Sequence, residues 1–341
     1  MAASQDQTPQ NVISQNAVRT WTIKSALEWT QGHLEAKGDE NPRLSAQWLL
    51  CAATGLSRLE LYTNYEQVLA DVQLAVLREG IKRRVAREPL QYIVGRAPFR
   101  KIELAVRQGV LIPRPETEVL VDIVIGELRG RGILKTARIL DLCTGSGNIA
   151  LSLLQECPGV WVLATDNDPT AVRLARENAA LLGLGDSSGD GSGADNESGG
   201  DSADDVGSNG AGRRLRIIQD DLASTLIADP EMHGSFDVVV SNPPYVPTAE
   251  LEGLPEEVAN YEPRGALDGG ADGLEVFRRI VVQTQMLLRP NGLLACELFE
   301  TTLDEAAEFC RSEGFTEVLI HNDLTGRPRI ITARTPHEVS L

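Results

Sequence analysis

From Arg138 onward the chain repeats one pattern, a short continuous apolar run followed by an amphipathic stretch, and no other feature restricts its fold so strongly. Arg138-Ile139-Leu140-Asp141-Leu142, Trp161-Val162-Leu163-Ala164-Thr165, Leu215-Arg216-Ile217-Ile218 and Phe236-Asp237-Val238-Val239-Val240-Ser241 read as strands. Residues 149–156, 169–182 and 274–288 read as intervening helices, 292–298 as a fifth strand, and 317–320 and 329–332 as the last two. Strands that are apolar throughout, alternating with amphipathic helices, require a parallel sheet covered on both faces. The expected class is therefore α/β, with a seven-stranded, mostly parallel sheet.

The stretch before this alternation is organised differently. In residues 21–87 apolar positions such as Ile23, Leu27, Leu34, Leu44, Trp48 and Leu49 recur at helical spacing. Asn41-Pro42 marks a helix start there and Thr54-Gly55 a stop. A basic run, Arg78, Lys82, Arg83, Arg84 and Arg87, reads as a solvated face or a docking patch. Gln91-Tyr92-Ile93-Val94 and Ile102-Glu103-Leu104-Ala105-Val106 read as short strands separated by Gly95 and Pro98. Pro113-Arg114-Pro115 halts regular structure, and a helix is expected over 116–129. The predicted domains are a helical one at 19–88, a β-hairpin linker at 89–112 and a catalytic one at 113–336. Residues 185–212 are Gly, Ser, Asp and Asn with almost nothing apolar, and are expected to be a disordered surface insertion.

Composition excludes several classes. Five cysteines without a CxxC spacing argue against a disulfide framework or a zinc site, and the four histidines show no metal-ligand spacing. Of the net charge of −17, seven negative charges lie in the 185–212 insertion, which leaves −10 on the remainder. So acidic a surface disfavours a nucleic-acid backbone as the main partner. No apolar run approaches a membrane span. The first twenty residues carry Arg19 as their sole basic group and resemble neither a secretory leader nor a transit peptide, so a cytoplasmic location is expected.

Two constellations carry chemistry. The first is Cys143-Thr144-Gly145-Ser146-Gly147 between strand and helix, followed 19 residues after Gly147 by Asp166 at the end of the next strand. Glycines let a ligand approach the backbone, and a carboxylate at that distance can bind both hydroxyls of a ribose. Together they indicate an adenosine-containing cofactor, nicotinamide or S-adenosylmethionine alike. Asp221 and Leu222, at the end of the third strand, are placed to meet an adenine edge and face, although either Asp220 or Asp221 could simply cap the next helix. The second constellation is Asn242-Pro243-Pro244-Tyr245 at the end of the fourth strand. Two prolines cannot continue a central strand; they stiffen the turn and leave carbonyls without internal donors.

Asn-Pro-Pro-Tyr after a strand, with Asp-Leu-Cys-Thr-Gly-Ser-Gly upstream, resembles the class I methyltransferases that modify planar exocyclic or amide nitrogens. Pro89-Leu90-Gln91-Tyr92-Ile93, Gly95, Phe99 and the run Gly109-Val110-Leu111-Ile112-Pro113-Arg114-Pro115-Glu116-Thr117-Glu118 narrow this to a resemblance with peptide chain release factor glutamine methyltransferases. That resemblance implies a Rossmann-like domain behind a small helical, substrate-docking domain and a hairpin linker. It implies S-adenosyl-L-methionine as methyl donor, the Gly-Gly-Gln glutamine of a release factor as acceptor, no DNA or membrane partner, and a monomer. The Asn242 side-chain oxygen and the Pro243 carbonyl would accept hydrogen bonds from the substrate NH2, Pro244 would help shape that subsite, and Tyr245 would pack against the flat amide or near the sulfonium. The loop after the fifth strand departs from relatives, reading Glu297-Leu298-Phe299-Glu300 where many have Glu-Ile-Gly. Rival readings are glutamine methylation of a large-subunit ribosomal protein, nitrogen methylation of a nucleic-acid base, a nicotinamide-dependent oxidoreductase and a non-catalytic binding module.

Overall fold

Reciprocal capping starts two of the N-terminal helices. Thr22 and Ser25 exchange backbone-to-side-chain hydrogen bonds, as do Ser57 and Glu60. The helices are α1 (Ile23–Ala36), α2 (Pro42–Thr54), α3 (Arg58–Thr63) and α4 (Asp71–Val85). Pro42 opens α2 and Gly55, in the left-handed conformation, closes it. This computed structural model describes residues 20–185 and 214–337. The insertion expected at 185–212 lies, apart from Gly185, outside the described residues, as do the first nineteen. The chain divides at Ala86/Arg87 into two compact units. The first is held by Ile23, Leu34, Leu49, Leu50 and Leu61, all buried. Arg84 of the basic run is buried too, in an ion pair with Asp39 at 2.6 Å, so the run is not wholly a surface feature.

The second unit opens with a correction. Residues 91–94, expected as a strand, belong to a short helix, α5 (Leu90–Val94), and the hairpin is β1 (Arg96–Phe99) with β2 (Ile102–Ala105). A run of only four residues does not distinguish strand from helix by period. Gly95 decides it: at φ 75° it donates its N–H to the Gln91 carbonyl and terminates a helical turn. At the hairpin tip Arg100 adopts φ 51°, held by Glu118, which accepts its N–H at 3.0 Å.

After α6 (Thr117–Gly130) come β3 (Arg138–Leu142), α7 (Asn148–Glu156), β4 (Trp161–Asp166), α8 (Pro169–Leu181), β5 (Leu215–Gln219), α9 (Ser224–Ile227) and β6 (Phe236–Ser241). Then follow α10 (Glu256–Tyr261), α11 (Glu275–Leu287), β7 (Leu288–Glu297), α12 (Leu303–Ser312), β8 (Thr316–Asn322) and β9 (Pro328–Arg334). The seven strands β3 to β9 form one sheet in the order β5-β4-β3-β6-β7-β9-β8. The first five run parallel, while β9 is antiparallel to both neighbours. The turn at 323–327 accounts for this: Asp323 accepts the N–H groups of Thr325 and Arg327, and so short a connection can only reverse the chain. All six β6 residues are buried. Val238 and Val240 face one core while Phe236 and Val239 face the other, which is why this strand lacks polar alternation. Strand order reverses between β3 and β6, so the crevice at their carboxyl ends is where a ligand is expected. Among the described residues no helix is long and apolar enough to cross a membrane.

Candidate active site

A fully buried carboxylate joins the loop after β3 to its flanking elements. Asp141 accepts the Thr144 hydroxyl at 2.7 Å and the Ala150 N–H at 3.2 Å, joining strand, turn and helix. Burial pushes its carboxyl up to about 7. Cys143 adopts φ 57°, uncommon for a residue with a side chain. Gly145 donates its N–H to one oxygen of Asp166 at 2.9 Å, and Asp168 donates to the other at 3.0 Å. Burial raises the Asp166 carboxyl above its usual range. Gly147 does a different job: at φ 84° it precedes α7, and a Cβ there would lie 3.0 Å from Leu151 and 3.3 Å from Ala175. It is a close-packing glycine, not part of the cavity wall.

Asn178 was not expected from the sequence. Buried in α8, it accepts the Ala105 N–H at 2.8 Å and donates to the carbonyls of Ala105 and Ser146 at 3.1 and 2.9 Å. One amide thus ties the hairpin to the glycine loop. The available signal was an Asn on the buried stripe of an amphipathic helix, among Val172, Leu174, Ala175 and Ala179. Asn178→Leu would orphan three backbone groups and should cost roughly 3 kcal/mol of unfolding free energy in urea titrations. A loss below about 1 kcal/mol would mean the bridge is dispensable.

At the end of β5 the two aspartates separate in role. Asp220 accepts the Thr225 N–H and hydroxyl, capping α9. Asp221 faces the cavity and is ion-paired with Arg279 at 2.6 Å. Leu222 sits at φ 57°, its carbonyl accepting the Thr165 hydroxyl at 2.7 Å.

The turn after β6 is braced from several sides. Ser241 donates its hydroxyl to the Leu142 carbonyl at 2.8 Å, joining the ends of the two central strands. Gly269 and Gly273 press on the Tyr245 backbone so closely that a Cβ would come within 2.7 Å of Tyr245 Cα or 2.5 Å of its carbonyl oxygen. Asn242 donates its side-chain NH2 to Thr117 Oγ1 at 3.1 Å, and Thr117 in turn donates to Glu297 Oε2 at 2.6 Å. Tyr245 donates its hydroxyl to Glu297 Oε1 at 2.9 Å, and its ring lies beside Phe299. Glu297 thus fixes the hydroxyl end of Tyr245. Neither Asn242 Oδ1 nor the Pro243 carbonyl has a hydrogen-bond partner among the described residues.

These elements enclose a cavity of about 280 Å3. Its walls include Cys143, Thr144, Gly145, Ser146, Asp166, Asp221, Leu222, Asn242 and Pro244, with Gly147, Pro243 and Tyr245 outside the lining. Residues 109–114 close one side, and Pro263, Gly265, Ala266 and Asp268 another. Glu262 clamps these two loops by accepting from the Ile112 N–H at 3.2 Å and pairing with Arg114. No sequence signal marked the 263–268 loop, because its position depends on that long-range contact. The cavity suits an adenosine group. Each Asp166 oxygen keeps a lone pair beyond its backbone bond for a ribose hydroxyl, and Val110, Ala171 and Leu222 offer apolar surface.

Comparison with known proteins gives a consistent result. Residues 25–95 match the family model "PrmC N-terminal domain" and residues 117–197 the model "Methyltransferase small domain". The release factor glutamine methyltransferase of Geobacter sulfurreducens is 37% identical over 92% of this chain and 97% of its own length. That of Rhodopirellula baltica is 34% identical over 92% and 96%. Among solved structures, the release factor-specific protein-(glutamine-N5) methyltransferase from Alicyclobacillus acidocaldarius is 26% identical, with a TM-score of 0.36, covering 66% of this chain and 94% of that one.

Proposed function

This chain belongs to the release factor glutamine methyltransferases, and from that premise we propose that Asn242 and Pro243 hold the amide that is methylated. The reaction is transfer of a methyl group from S-adenosylmethionine to the N5 nitrogen of a release factor glutamine. The acceptor we assign is the glutamine of the Gly-Gly-Gln motif. When bound, S-adenosylmethionine supplies a methyl group on a sulfonium centre. Asp166 holds its ribose, the turn at 143–146 meets it through backbone, and Asp221 and Leu222 flank its base.

A glutamine nitrogen is a weak nucleophile because its lone pair is delocalised into the carbonyl. The chain's contribution is to grip both N–H bonds. Asn242 lines the cavity with its amide nitrogen turned away onto Thr117, which leaves Oδ1 toward the substrate, and this observation carries the assignment. Pro243 itself lies outside the cavity lining, so its part is limited to the backbone carbonyl, the second acceptor, which fixes the NH2 in plane and favours positive charge developing on nitrogen. No side-chain base is needed, since a methylated amide nitrogen is acidic enough to shed its proton to water. Tyr245 is held by its hydroxyl on Glu297.

Incubation with S-adenosylmethionine and a purified release factor, followed by mass spectrometry, should place one methyl group on that glutamine. Modification of a large-subunit ribosomal protein or of rRNA, with the release factor untouched, would reassign the acceptor.

A further inference from the structure

An asparagine amide is nearly symmetric in shape, yet its two ends have opposite hydrogen-bonding character. If the Asn242 NH2 faced the cavity it would oppose the substrate NH2, donor against donor. We propose that Thr117 and Glu297 are positioning residues that fix which end of the Asn242 amide faces the substrate. This deepens the assignment of Asn242 as acceptor and rests on it.

The polarity follows from the chain of contacts. Glu297 is fully buried and accepts two hydroxyls, Thr117 at 2.6 Å and Tyr245 at 2.9 Å. A carboxylate only accepts, so the Thr117 proton is committed to it. Thr117 Oγ1, also fully buried, then offers Asn242 only lone pairs, and Asn242 can meet them only with its NH2, at 3.1 Å. A proton on Glu297 Oε2 reverses the sequence. The carboxyl becomes a donor to Thr117, Thr117 turns its own proton toward Asn242, and the amide rotates to receive it on Oδ1. The cavity then faces an NH2.

The groups facing Glu297 come from three further elements. Thr117 and Glu116 stand at the start of α6, Tyr245 in the turn after β6, and Arg329 on β9. Burial raises the Glu297 carboxyl, while its two hydrogen bonds and Arg329 oppose that rise and Glu116 adds to it. Inactivation by protonation therefore falls above the ordinary glutamate range as pH is lowered.

The test is kcat as a function of pH at saturating S-adenosylmethionine and release factor, with cofactor affinity measured by calorimetry. Wild type should lose turnover toward acid, and Glu297→Gln should abolish that acid limb. Thr117→Val buries the Asn242 NH2 against a methyl group and should lower kcat roughly tenfold, with cofactor affinity within about twofold. Thr117→Ser, which keeps the hydroxyl, should restore most of the turnover. Wild-type kcat in Thr117→Val, an unchanged acid limb in Glu297→Gln, or parallel loss of kcat and cofactor affinity would each overturn the proposal. If Thr117→Val does not fold, the Glu297→Gln profile decides alone. Asn242→Ala separates the two levels. An inactive Asn242→Ala beside a fully active Thr117→Val overturns only the positioning role, whereas an active Asn242→Ala removes the acceptor assignment and this inference with it.

Discussion

Asn242→Ala is expected to lower turnover at saturating substrates by on the order of 10²–10³, the usual effect of deleting one preorganised polar contact at a reacting centre. Binding of S-adenosylmethionine should change little. The reason is geometric. The Asn242 amide nitrogen is anchored to Thr117 at the start of α6, and although Asn242 is itself among the expected cofactor contacts, the others arise at the ends of β3, β4 and β5. Deleting it leaves the bracing of the turn intact, because Ser241, Gly269 and Gly273 hold the backbone independently. Single-turnover rates combined with calorimetric affinity check both halves. Wild-type turnover in this variant would refute the role given to the side chain.

Asp166→Ala should act on the other partner, weakening S-adenosylmethionine binding by roughly 10- to 100-fold, as loss of hydrogen bonds to a charged group implies. Here the expected effect has two sources. The carboxylate is the group offered to the ribose, and it also accepts the Gly145 and Asp168 N–H groups that shape the loop. Asp166→Asn keeps one acceptor oxygen and should fall between. If calorimetry gave wild-type affinity for Asp166→Ala, the ribose assignment would fail.

The seven-stranded sheet was readable because β3, β4 and β6 are mostly apolar and buried almost throughout, and the helices between strands carry one apolar face. The glycine loop and the Asn-Pro-Pro-Tyr turn were readable because their residue types are awkward unless a ligand or a sharp turn requires them. What remained hidden depends on partners distant in sequence. Gln91-Tyr92-Ile93-Val94 could have paired as a strand until Gly95 is seen in the left-handed conformation. Thr117 lay inside a recognisable motif, but nothing local says that it touches residues 125 and 180 positions further on. Nothing local says that the Tyr245 hydroxyl meets a buried carboxylate 52 residues further on. Side-chain chemistry was legible, and long-range pairing was not.

The Glu262 clamp and the Glu297 contact also set an order of events. Every recognisable motif of the site has been synthesised once Tyr245 is added to the growing chain. Yet the wall at 109–114, already held by the Tyr92 hydroxyl on the Val110 carbonyl, has no tie to the 263–268 loop until Glu262 follows, and the Asn242–Thr117 pair has no carboxylate behind it until Glu297 does. Contacts spanning 150 and 180 residues close late in a chain made from its N-terminus. A nascent enzyme on the ribosome thus carries the complete set of signature residues well before it has a working site.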